Sequence, residues 1–381
     1  MKILNIGGYT WDIGGPPKII YDHATVQIKL GAEVTILTLI SEGQKLYDIP
    51  DGVKVVSFKR HWFSRFWAEF SPELYTWVKN HGNEYDVIHI HGVWHFSGIT
   101  PYLAGINSAK CLTIHGLLDK WTIRKGYWKK YLFGLLFQKR ILLNTDLIQI
   151  NNNDEKEDLV RFLGVQHPNV KIIANGMNLN NFLNLPPKKE FREQFNIPQH
   201  KQLILFMSRI NLKKGLDLLL PAFKRVSTQR DDCVMVLAGS DDGYLTETQQ
   251  FILSNDLKDK IILVGMLTGK SKLAALSDAD IFVLPSYSEG FSIATLEALI
   301  SGVPSLLSDR VGFGEMLKAT NSAHLVDLNE NSIVEGLNKM LDDKTYCNVL
   351  SENGTMLVKN NYDIEIVARQ LYSEFEKILR K

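Results

Sequence analysis

The sequence has few cysteines, almost no net charge and no long apolar run. Its three cysteines, Cys111, Cys233 and Cys347, are far apart in 381 residues, which excludes a disulfide framework and a cysteine-based metal site. That usage is typical of a reducing cytoplasm. The net charge of +1 gives no argument for nucleic acid as a partner. No run of about 18 apolar residues is present, so we expect no membrane-spanning helix, and the opening MKILNIGG is typical of a strand rather than a signal peptide.

Short apolar runs alternate with helical patterns along the chain. They are KILNIG, EVTILTLI, KVVSF, DVIHIHG, KCLTIHG, DLIQIN and VKIIANG in the first half, and LILFMSR, CVMVLAG, KIILVG, IFVLPS, PSLLSD and AHLVD in the second. Near-continuous apolar strands separated by helices predict parallel sheets covered on both faces. A chain of this length exceeds one ordinary core. We therefore predict two α/β domains, with ligands beyond the carboxyl ends of the strands and in the cleft between the domains.

The segment FMSRINLKKG places three cations, Arg209, Lys213 and Lys214, in a loop that opens a helix. Positive charge beside a helix N-terminus opposes the helix dipole unless an anion lies between them. A guanidinium can grip a diphosphate through two hydrogen bonds, and an ammonium acts on it as a point charge. The segment therefore indicates a diphosphate site, and a solvated basic loop is the alternative.

The segment SEGFSIATLEA carries two glutamates, Glu289 and Glu297, around a predicted helix start. Gly290 permits close backbone approach and Ser292 can cap the helix, so its first N–H groups would form a phosphate cradle. Those groups belong to Phe291, Ser292 and Ile293. In a helix the two glutamate Cα atoms would lie about 12 Å apart, whereas glycosidase carboxyl groups are about 5–9.5 Å apart. We therefore expect the two acids to bind different parts of one ligand, and a locally satisfied buried acid is the alternative for Glu297.

Two further loops follow strands of the first domain. Gly14 and Gly15 precede two prolines, which predicts a helix start at Pro17 and either a ligand-accessible backbone or a tight turn. His115 lies at a strand end, where a substrate contact and a structural role are both open. His89 and His91 alternate along one strand, and we expect their side chains on opposite faces and no metal cluster.

A basic aromatic segment, KWTIRKGYWKKYLFGLLFQKRILL, spans residues 120–143 and contains no acid. Such a segment suits an anionic membrane surface, where lipid-linked acceptors lie. A helix packed on the sheet with its basic face in solvent is the alternative. The aromatic segment at residues 60–77, RHWFSRFWAEFSPELYTW, is expected to line an acceptor groove or to pack as core.

The segment DADIFVLPSYSEGFSIATLEALISGVPSLLSD resembles the family 4 retaining glycosyltransferases. Matches in the same order cover nearly the whole chain: the early GG loop, DVIHIHG, TIHG, ANGMNLNNF, SRINLKKG, VLAGSDDG and VGMLTGKSKLAALSDAD. The resemblance implies the GT-B fold, an α/β architecture of two doubly wound Rossmann-like domains with the active site in the inter-domain cleft. It implies an acceptor domain over residues 1–185, completed by a C-terminal helix at 362–381, and a sugar-nucleotide domain over 186–361.

The resemblance also implies a reaction and its residues. It implies metal-independent transfer of a hexose from a sugar nucleotide, with UDP-glucose or a similar donor expected, to a glycan or lipid-linked acceptor, with no cofactor. Matching positions assign catalysis to His115, Arg209, Lys214 and Glu289. They assign donor binding to Gly14, Gly15, Arg209, Lys214, Gly239, Met266, Leu267, Glu289, Gly290, Phe291, Ser292, Ile293 and Glu297.

Within those assignments, Arg209 and Lys214 match residues that grip the diphosphate, Glu289 matches a hexose contact and Glu297 a ribose contact. The sequence departs from the family pattern at Ser292, where glycine is usual, and at Asn178, where aspartate is usual. Two alternatives remain open: a sugar-nucleotide epimerase on the same fold, and a non-catalytic sugar-nucleotide-binding protein. We expect a cytoplasmic enzyme, peripheral at the inner face of the plasma membrane if residues 120–143 contact lipid.

Overall fold

The computed structural model describes residues 1–11, 15–124 and 127–380, apart from the side chains of Trp121 and Lys129. The chain forms two compact units. The first combines Met1–Asn178 with Tyr362–Lys381, and the second is Leu179–Asn361. The chain thus leaves the first unit at residues 178–179, where the sequence analysis put the boundary at 185–186, and it returns at the expected residue 362.

The first unit contains a parallel seven-stranded sheet with the order β3-β2-β1-β4-β5-β6-β7. Its strands are β1 (Lys2–Ile6), β2 (Glu33–Ile40), β3 (Lys54–Lys59), β4 (Val87–His91), β5 (Ala109–Thr113), β6 (Leu147–Ile150) and β7 (Val170–Ile172). The central strands are buried on both faces, which explains their near-continuous apolar sequences. The strand order reverses between β1 and β4.

Helices cover this sheet. They are α1 (Gly15–Lys29), α2 (Pro72–His81), α3 (Phe96–Leu103), α4 (Lys120–Arg124), α5 (Tyr127–Phe133), α6 (Lys139–Leu143) and α7 (Asn153–Leu163), and a π-helical turn at Gly134–Gln138 joins α5 to α6. The helix predicted to begin at Pro17 begins at Gly15, because proline is tolerated throughout the first turn of a helix. It ends before Gly31, whose φ of 82° favours a residue without a side chain.

The second unit contains a parallel six-stranded sheet with the order β10-β9-β8-β11-β12-β13. Its strands are β8 (Gln202–Met207), β9 (Cys233–Ala238), β10 (Ile261–Gly265), β11 (Ile281–Leu284), β12 (Ser305–Ser308) and β13 (His324–Val326). Its helices are α8 (Glu190–Gln194), α9 (Leu216–Gln229), α10 (Leu245–Ser254), α11 (Gly269–Asp278), α12 (Ile293–Ile300), α13 (Gly314–Ala319), α14 (Glu330–Asp342) and α15 (Lys344–Asn361). Every apolar run named in the sequence analysis contains a strand, so the predicted α/β architecture of two Rossmann-like domains is confirmed.

The last helix, α16 (Ile364–Leu379), belongs to the first unit. Its apolar face, which includes Leu371 and Phe375, joins the core cluster that contains Ile3 and Cys111 of the sheet. An ion pair of 2.7 Å between Lys29 and Glu365 links it to α1. In the described part of the chain, no helix combines the length and the apolarity that crossing a bilayer requires.

Candidate active site

In the second unit the strand order reverses between β8 and β11, where open parallel sheets bind ligands. The loop after β8 carries Arg209 and Lys214, and the loop after β11 carries Glu289. These two loops pack closely because Gly215, at φ 75°, has no side chain: a Cβ there would lie 1.9 Å from the carbonyl oxygen of Pro285. The fold therefore brings together the two segments that the sequence analysis had singled out separately.

Lys214 and Glu289 form an ion pair between these loops, and the two side chains are only 10% and 11% exposed. Ser286 also donates a hydrogen bond of 3.3 Å to Glu289 Oε1. The backbone of Glu289 is fixed on both sides, since its N–H donates to the carbonyl of Arg310 and its carbonyl accepts from Gly312 N–H. A carboxylate and an ammonium are thus held side by side at the sheet edge.

Arg209 is more exposed, with 64% of its side chain accessible, and its Nη1 lies 2.7 Å from Asp242 Oδ2. Asn211 steadies the aspartate by donating to its backbone carbonyl at 2.6 Å. Exposed ion pairs of this kind contribute about 0–1 kcal/mol, so a ligand anion can replace the Asp242 carboxylate at small cost. Asp242 was not among the predicted site residues, although the SDDG turn after β9 contains it.

Gly239 lets the ends of β8 and β9 approach each other. A Cβ at this position would lie 1.8 Å from the carbonyl oxygen of Ser208, a distance that no side chain tolerates. The Gly239 N–H donates at 2.8 Å to the carbonyl of Gly265, which closes the end of β10 onto the same edge. The glycine predicted to bind the donor therefore has a clear structural role as well.

A pocket of about 160 Å³ opens at this edge of the second sheet. Its lining comes from the ends of β8, β9 and β10 and from α11 and α12: Met207, Ser208, Arg209, Ala238, Gly239, Ser240, Met266, Leu267, Lys272, Ala294 and Glu297. Five predicted donor-binding residues, Arg209, Gly239, Met266, Leu267 and Glu297, therefore share one cavity. One part of its wall is cationic, and another, at Met266 and Leu267, is apolar.

Helix α12 begins beside this pocket, as Ala294 in its first turn shows. Ser292 caps the helix as predicted: its hydroxyl accepts a hydrogen bond of 3.3 Å from Thr295 N–H and one of 2.9 Å from the Thr295 hydroxyl. The partial positive charge of the helix N-terminus is thus close to the Arg209 loop. Gly290, Phe291 and Ile293 belong to the same entry, which follows Glu289 directly.

Glu297 lies inside α12 and is 5% exposed, and Lys272 of α11 neutralises it at 2.6 Å. Glu297 was among the predicted site residues, and Lys272 was not. The signal was available, because a carboxylate within an apolar helix requires a charged partner, and the segment TGKSKLAAL supplies lysines. The two glutamates thus have different cationic partners, and their binding to different parts of one ligand stays a prediction.

His115 lies in the first unit, just beyond β5, with a left-handed φ of 55°. Its Nε2 is 3.3 Å from Nδ1 of His91, and its Nδ1 is buried without a partner among the described residues. Burial, with a smaller contribution from His23, lowers the pKa of His115 to about 4. The imidazole is therefore neutral at physiological pH.

The expectation that His89 and His91 face opposite ways is wrong. Residues two apart on a strand point to the same face, and the two ring centroids are 4.0 Å apart. His89 is 2.7 Å from the hydroxyl of Thr113, and Nε2 of His91 is 3.1 Å from Oδ1 of Asn5. His89 and His91 thus place two buried, neutral imidazoles beside His115, since burial lowers the pKa of both.

Of the two glycines predicted to approach the donor, Gly15 is the first residue of α1. Gly14 lies outside the described residues. Across the described ranges there is no group of three or more His, Cys, Asp or Glu side chains that could hold a metal ion.

Two family models match the chain. The model for glycosyl transferases group 1 matches residues 187–356, and that for glycosyltransferase family 4 matches residues 13–181. Together they correspond closely to the two structural units.

Individual proteins are similar over most of the chain. An uncharacterized glycosyltransferase of Methanocaldococcus jannaschii is 25% identical and covers 98% of both chains. The Escherichia coli UDP-Gal:alpha-D-GlcNAc-diphosphoundecaprenol alpha-1,3-galactosyltransferase is 28% identical over 76% of this chain and 74% of its own. Among solved structures, Anabaena HepE in complex with UDP-glucose has a TM-score of 0.76 at 15% identity, over 99% of this chain and 100% of that one.

Proposed function

We propose, from the premise that this chain belongs to the group 1 glycosyltransferases of family 4 and is a hexosyltransferase, that its donor is a uridine diphosphate hexose. We further propose that the acceptor is a lipid-linked sugar or growing glycan and that the anomeric configuration is retained. The product would be an intermediate of polysaccharide or glycolipid synthesis. The observation that carries the proposal is the shared pocket of Arg209, the first turn of α12 and Glu297.

The diphosphate fits the cationic side of this pocket. Among the described residues Arg209 pairs with Asp242, whose side chain is 33% exposed, and the guanidinium can exchange that carboxylate for a phosphate. The helix N-terminus supplies backbone N–H donors and a favourable dipole. Lys214 lies on the same loop as Arg209 and adds a nearly buried positive charge. Together these groups would bind a dianionic diphosphate and stabilise it further as it leaves.

The nucleoside fits the remaining walls. Glu297 can accept hydrogen bonds from two vicinal ribose hydroxyls, and Lys272 holds its carboxylate in place. Met266 and Leu267 offer an apolar surface to a flat base. Uracil is supported by two similar proteins, the E. coli galactosyltransferase named for UDP-Gal and Anabaena HepE in complex with UDP-glucose.

The chemistry follows from where charge develops. The bond between the anomeric carbon and the diphosphate oxygen breaks, and the acceptor oxygen bonds to the same face of that carbon. The acceptor proton passes to the departing diphosphate, so no side chain is required as general base. Arg209, Lys214 and the start of α12 are fixed donors aimed at the growing negative charge, which is how such preorganised groups lower a barrier. Glu289 would contact the hexose from beside Lys214.

A transfer assay tests this proposal. The protein is incubated with UDP-glucose, UDP-galactose, GDP-mannose or ADP-glucose and with an undecaprenyl-diphosphate-linked sugar, and the product's anomeric coupling is read by NMR. We expect transfer from a UDP-hexose with retention. Inversion would contradict the mechanism, and transfer only from GDP- or ADP-hexoses would contradict the assigned base. Conversion of donor alone into its epimer, or donor binding without turnover across acceptors, would favour the two alternative functions.

The acceptor proposal includes an anionic membrane surface. In the first unit the helical segment at 127–143 exposes large apolar side chains at spacings of three and four residues: Trp128, Tyr131, Leu132, Leu135 and Leu136. Trp128 alone is 78% exposed. Arg124, Lys139 and Arg140 flank them, and residues 120–143 contain no acid. An apolar stripe with a cationic border is the pattern of a helix that lies on anionic lipid.

A second aromatic segment joins this surface. The centroid of the Trp67 ring lies 5.6 Å from that of Phe133 and 5.4 Å from that of Phe137. Residues 60–70 therefore pack on the helical segment at 127–143. Residues 60–70 also expose the side chains of Trp62 and Phe66. Trp67 thus packs as core, which was one of the two alternatives for this aromatic segment, and for the exposed rings the acceptor groove stays a prediction. The lipid-linked acceptor in the name of the E. coli relative supports a bilayer as the partner.

Vesicle flotation tests the membrane contact. We expect the protein to float with vesicles containing phosphatidylglycerol and not with pure phosphatidylcholine, and high salt should weaken binding. Trp128→Ser combined with Leu136→Ser should reduce binding by at least about tenfold, because each removes a large apolar side chain from the lipid contact. The control is Leu253→Ser in the second unit, where Leu253 is similarly exposed at 57%. Equal binding by the double variant and the control would contradict the assigned surface.

A further inference from the structure

A chain of three polar side chains crosses the switch point of the first sheet, between β1 and β4. Asn5 of β1 accepts at Oδ1 from Nε2 of His91 at 3.1 Å, and His91 of β4 meets Nε2 of His115 through its Nδ1 at 3.3 Å. The His91 and His115 ring planes differ by only 15°, with centroids 5.5 Å apart, so the two rings meet edge to edge. This alignment suits a hydrogen bond in the plane of both rings.

The hydrogen bonds that join Asn5, His91 and His115 fix which ring nitrogens carry a proton. An amide oxygen only accepts, so Nε2 of His91 must carry a proton. Burial lowers the pKa of His91 well below its ordinary value, so the ring is neutral and its Nδ1 is a bare acceptor. His115 must then donate from Nε2. Because His115 is neutral as well, its own Nδ1 has a lone pair and no proton.

We propose that Asn5 and His91 are positioning residues that fix His115 in the Nε2-protonated tautomer, so that its Nδ1 accepts a hydrogen bond from a hydroxyl of the transferred hexose. The hexose part of this inference rests on the proposed function. The Nδ1 atom is buried and lacks a partner among the described residues, which is the state expected of an acceptor that waits for a ligand. Its place beyond the carboxyl end of β5, next to the switch point, is where parallel sheets bind ligands.

The local backbone supports a site built for orientation. His115 has a left-handed φ of 55°, which costs a non-glycine residue free energy and is retained where the surroundings require it. Gly7, beyond β1, covers His91 so closely that a Cβ there would lie 3.0 Å from the His91 Cβ. The His91 side chain is therefore held in place by close backbone packing as well as by its hydrogen bonds.

The direct test is the tautomer itself. Long-range ¹H–¹⁵N NMR of protein labelled in histidine distinguishes protonated from unprotonated ring nitrogens, and His91→Gln and His115→Gln variants assign the signals. We expect both His91 and His115 to be protonated at Nε2 and bare at Nδ1 at neutral pH. Protonation of His115 at Nδ1 would overturn the proposal. This readout needs no substrate, so it stands or falls independently of the transfer reaction.

A variant links the tautomer to the reaction. Asn5→Leu removes the acceptor, and we expect His115 to show a mixture of tautomers and kcat to fall about tenfold. Thr113→Val is the control, since it removes the hydrogen-bond partner of His89 and leaves the hydrogen bonds of His91 intact. A series of donors, each lacking one hexose hydroxyl, identifies the hydroxyl that binds Nδ1. Wild-type activity should fall most for one donor of the series, whereas Asn5→Leu should show similar activity with all of them. An unchanged tautomer in Asn5→Leu, or an unchanged preference among deoxy donors, would refute the positioning role.

Discussion

The carboxylate of Glu297 lies 2.6 Å from the ammonium of Lys272, on the wall of the pocket that also contains Arg209. The two charges stand on neighbouring helices, α12 and α11, and the glutamate is almost fully buried. Such a pair holds one carboxylate oxygen in a fixed direction and leaves the other free for a ligand. A buried ion pair adds little stability by itself, so its place in this pocket favours a role in binding.

Replacing Lys272 by Met should weaken donor binding and the fold together. Glu297 would remain buried without a cation, so we expect the free energy of unfolding to fall by about 1–3 kcal/mol and the donor Kd to rise about tenfold. The double change Lys272→Met and Glu297→Gln should recover stability and leave donor affinity low. The control is Lys270→Met, because Lys270 is exposed and pairs with Glu190 instead. Urea unfolding and calorimetric titration with UDP measure both effects, and full donor affinity in the double variant would contradict the ribose assignment.

Replacing Arg209 by Ala should lower kcat by on the order of 10²-fold, because the leaving diphosphate loses a fixed cation. Arg209→Lys should retain part of the activity, since the charge remains while the two-pronged hydrogen bonding is lost. Stability should change by less than about 1 kcal/mol, as expected for an exposed ion pair. Arg225→Ala, which removes an exposed pair with Glu330, is the matched control. Steady-state kinetics that give wild-type turnover for Arg209→Ala would remove the diphosphate assignment.

Gly239→Ala should disturb the pocket through the backbone. The added Cβ would overlap the carbonyl oxygen of Ser208 at 1.8 Å, so the ends of β8 and β9 must separate. We expect a stability loss of about 2–4 kcal/mol and a clear loss of UDP binding. Gly105→Ala is the comparison, because nothing lies within 4 Å of the Cβ position of Gly105. Its φ of 64° makes the substitution a measure of backbone strain alone, at about 1 kcal/mol. Equal losses in the two variants would show that the contact with Ser208 is unimportant.

The buried histidines of the first unit should make it acid-sensitive. Burial lowers the pKa of His23 to about 4, from about 6.5 in the unfolded chain. Between those pH values the unfolded chain binds the proton and the folded chain does not, so stability falls as pH drops from about 6.5 to 4 and is insensitive to this group above 6.5. His115 acts in the same direction, whereas Glu155, whose pKa burial raises, acts in the opposite one.

A comparison of variants isolates the contribution of His23 to the pH dependence of the free energy of unfolding. His23→Gln removes the titration, so the slope of unfolding free energy against pH between 4.5 and 6.5 should be shallower than in wild type. His200→Gln, which changes an exposed histidine, is the control for the substitution itself. Parallel pH profiles for wild type and His23→Gln would contradict the assigned burial effect.

The sequence predicted the sheets well for a physical reason. Strands buried on both faces are apolar throughout, so runs such as IFVLP and CVMVLA are visible without any partner information. Helix caps were also visible, because Ser292 before IATLEALI carries its signal locally. The helix entry at Gly15 was missed by two residues, since proline is equally acceptable at several positions of a first turn.

Side-chain partners over long separations were not visible in the same way. Lys272 and Glu297 are 25 residues apart, and Asn5 and His91 are 86 apart, so only the fold reveals that they touch. The error on His89 and His91 had a different origin, because the period of a strand already places such residues on one face. Arg209, Lys214 and Glu289 were predicted individually, while the Lys214–Glu289 pair depends on the packing of Gly215 against Pro285.

A crystal structure with UDP bound tests the donor site most directly. We expect the diphosphate between the Arg209 guanidinium and the first N–H groups of α12, with the ribose hydroxyls on Glu297. In that state Arg209 should have released Asp242, and Lys272 should still hold Glu297. A UDP molecule found elsewhere on the second unit, with Arg209 still paired to Asp242 and the pocket beside α12 unfilled, would contradict this expectation.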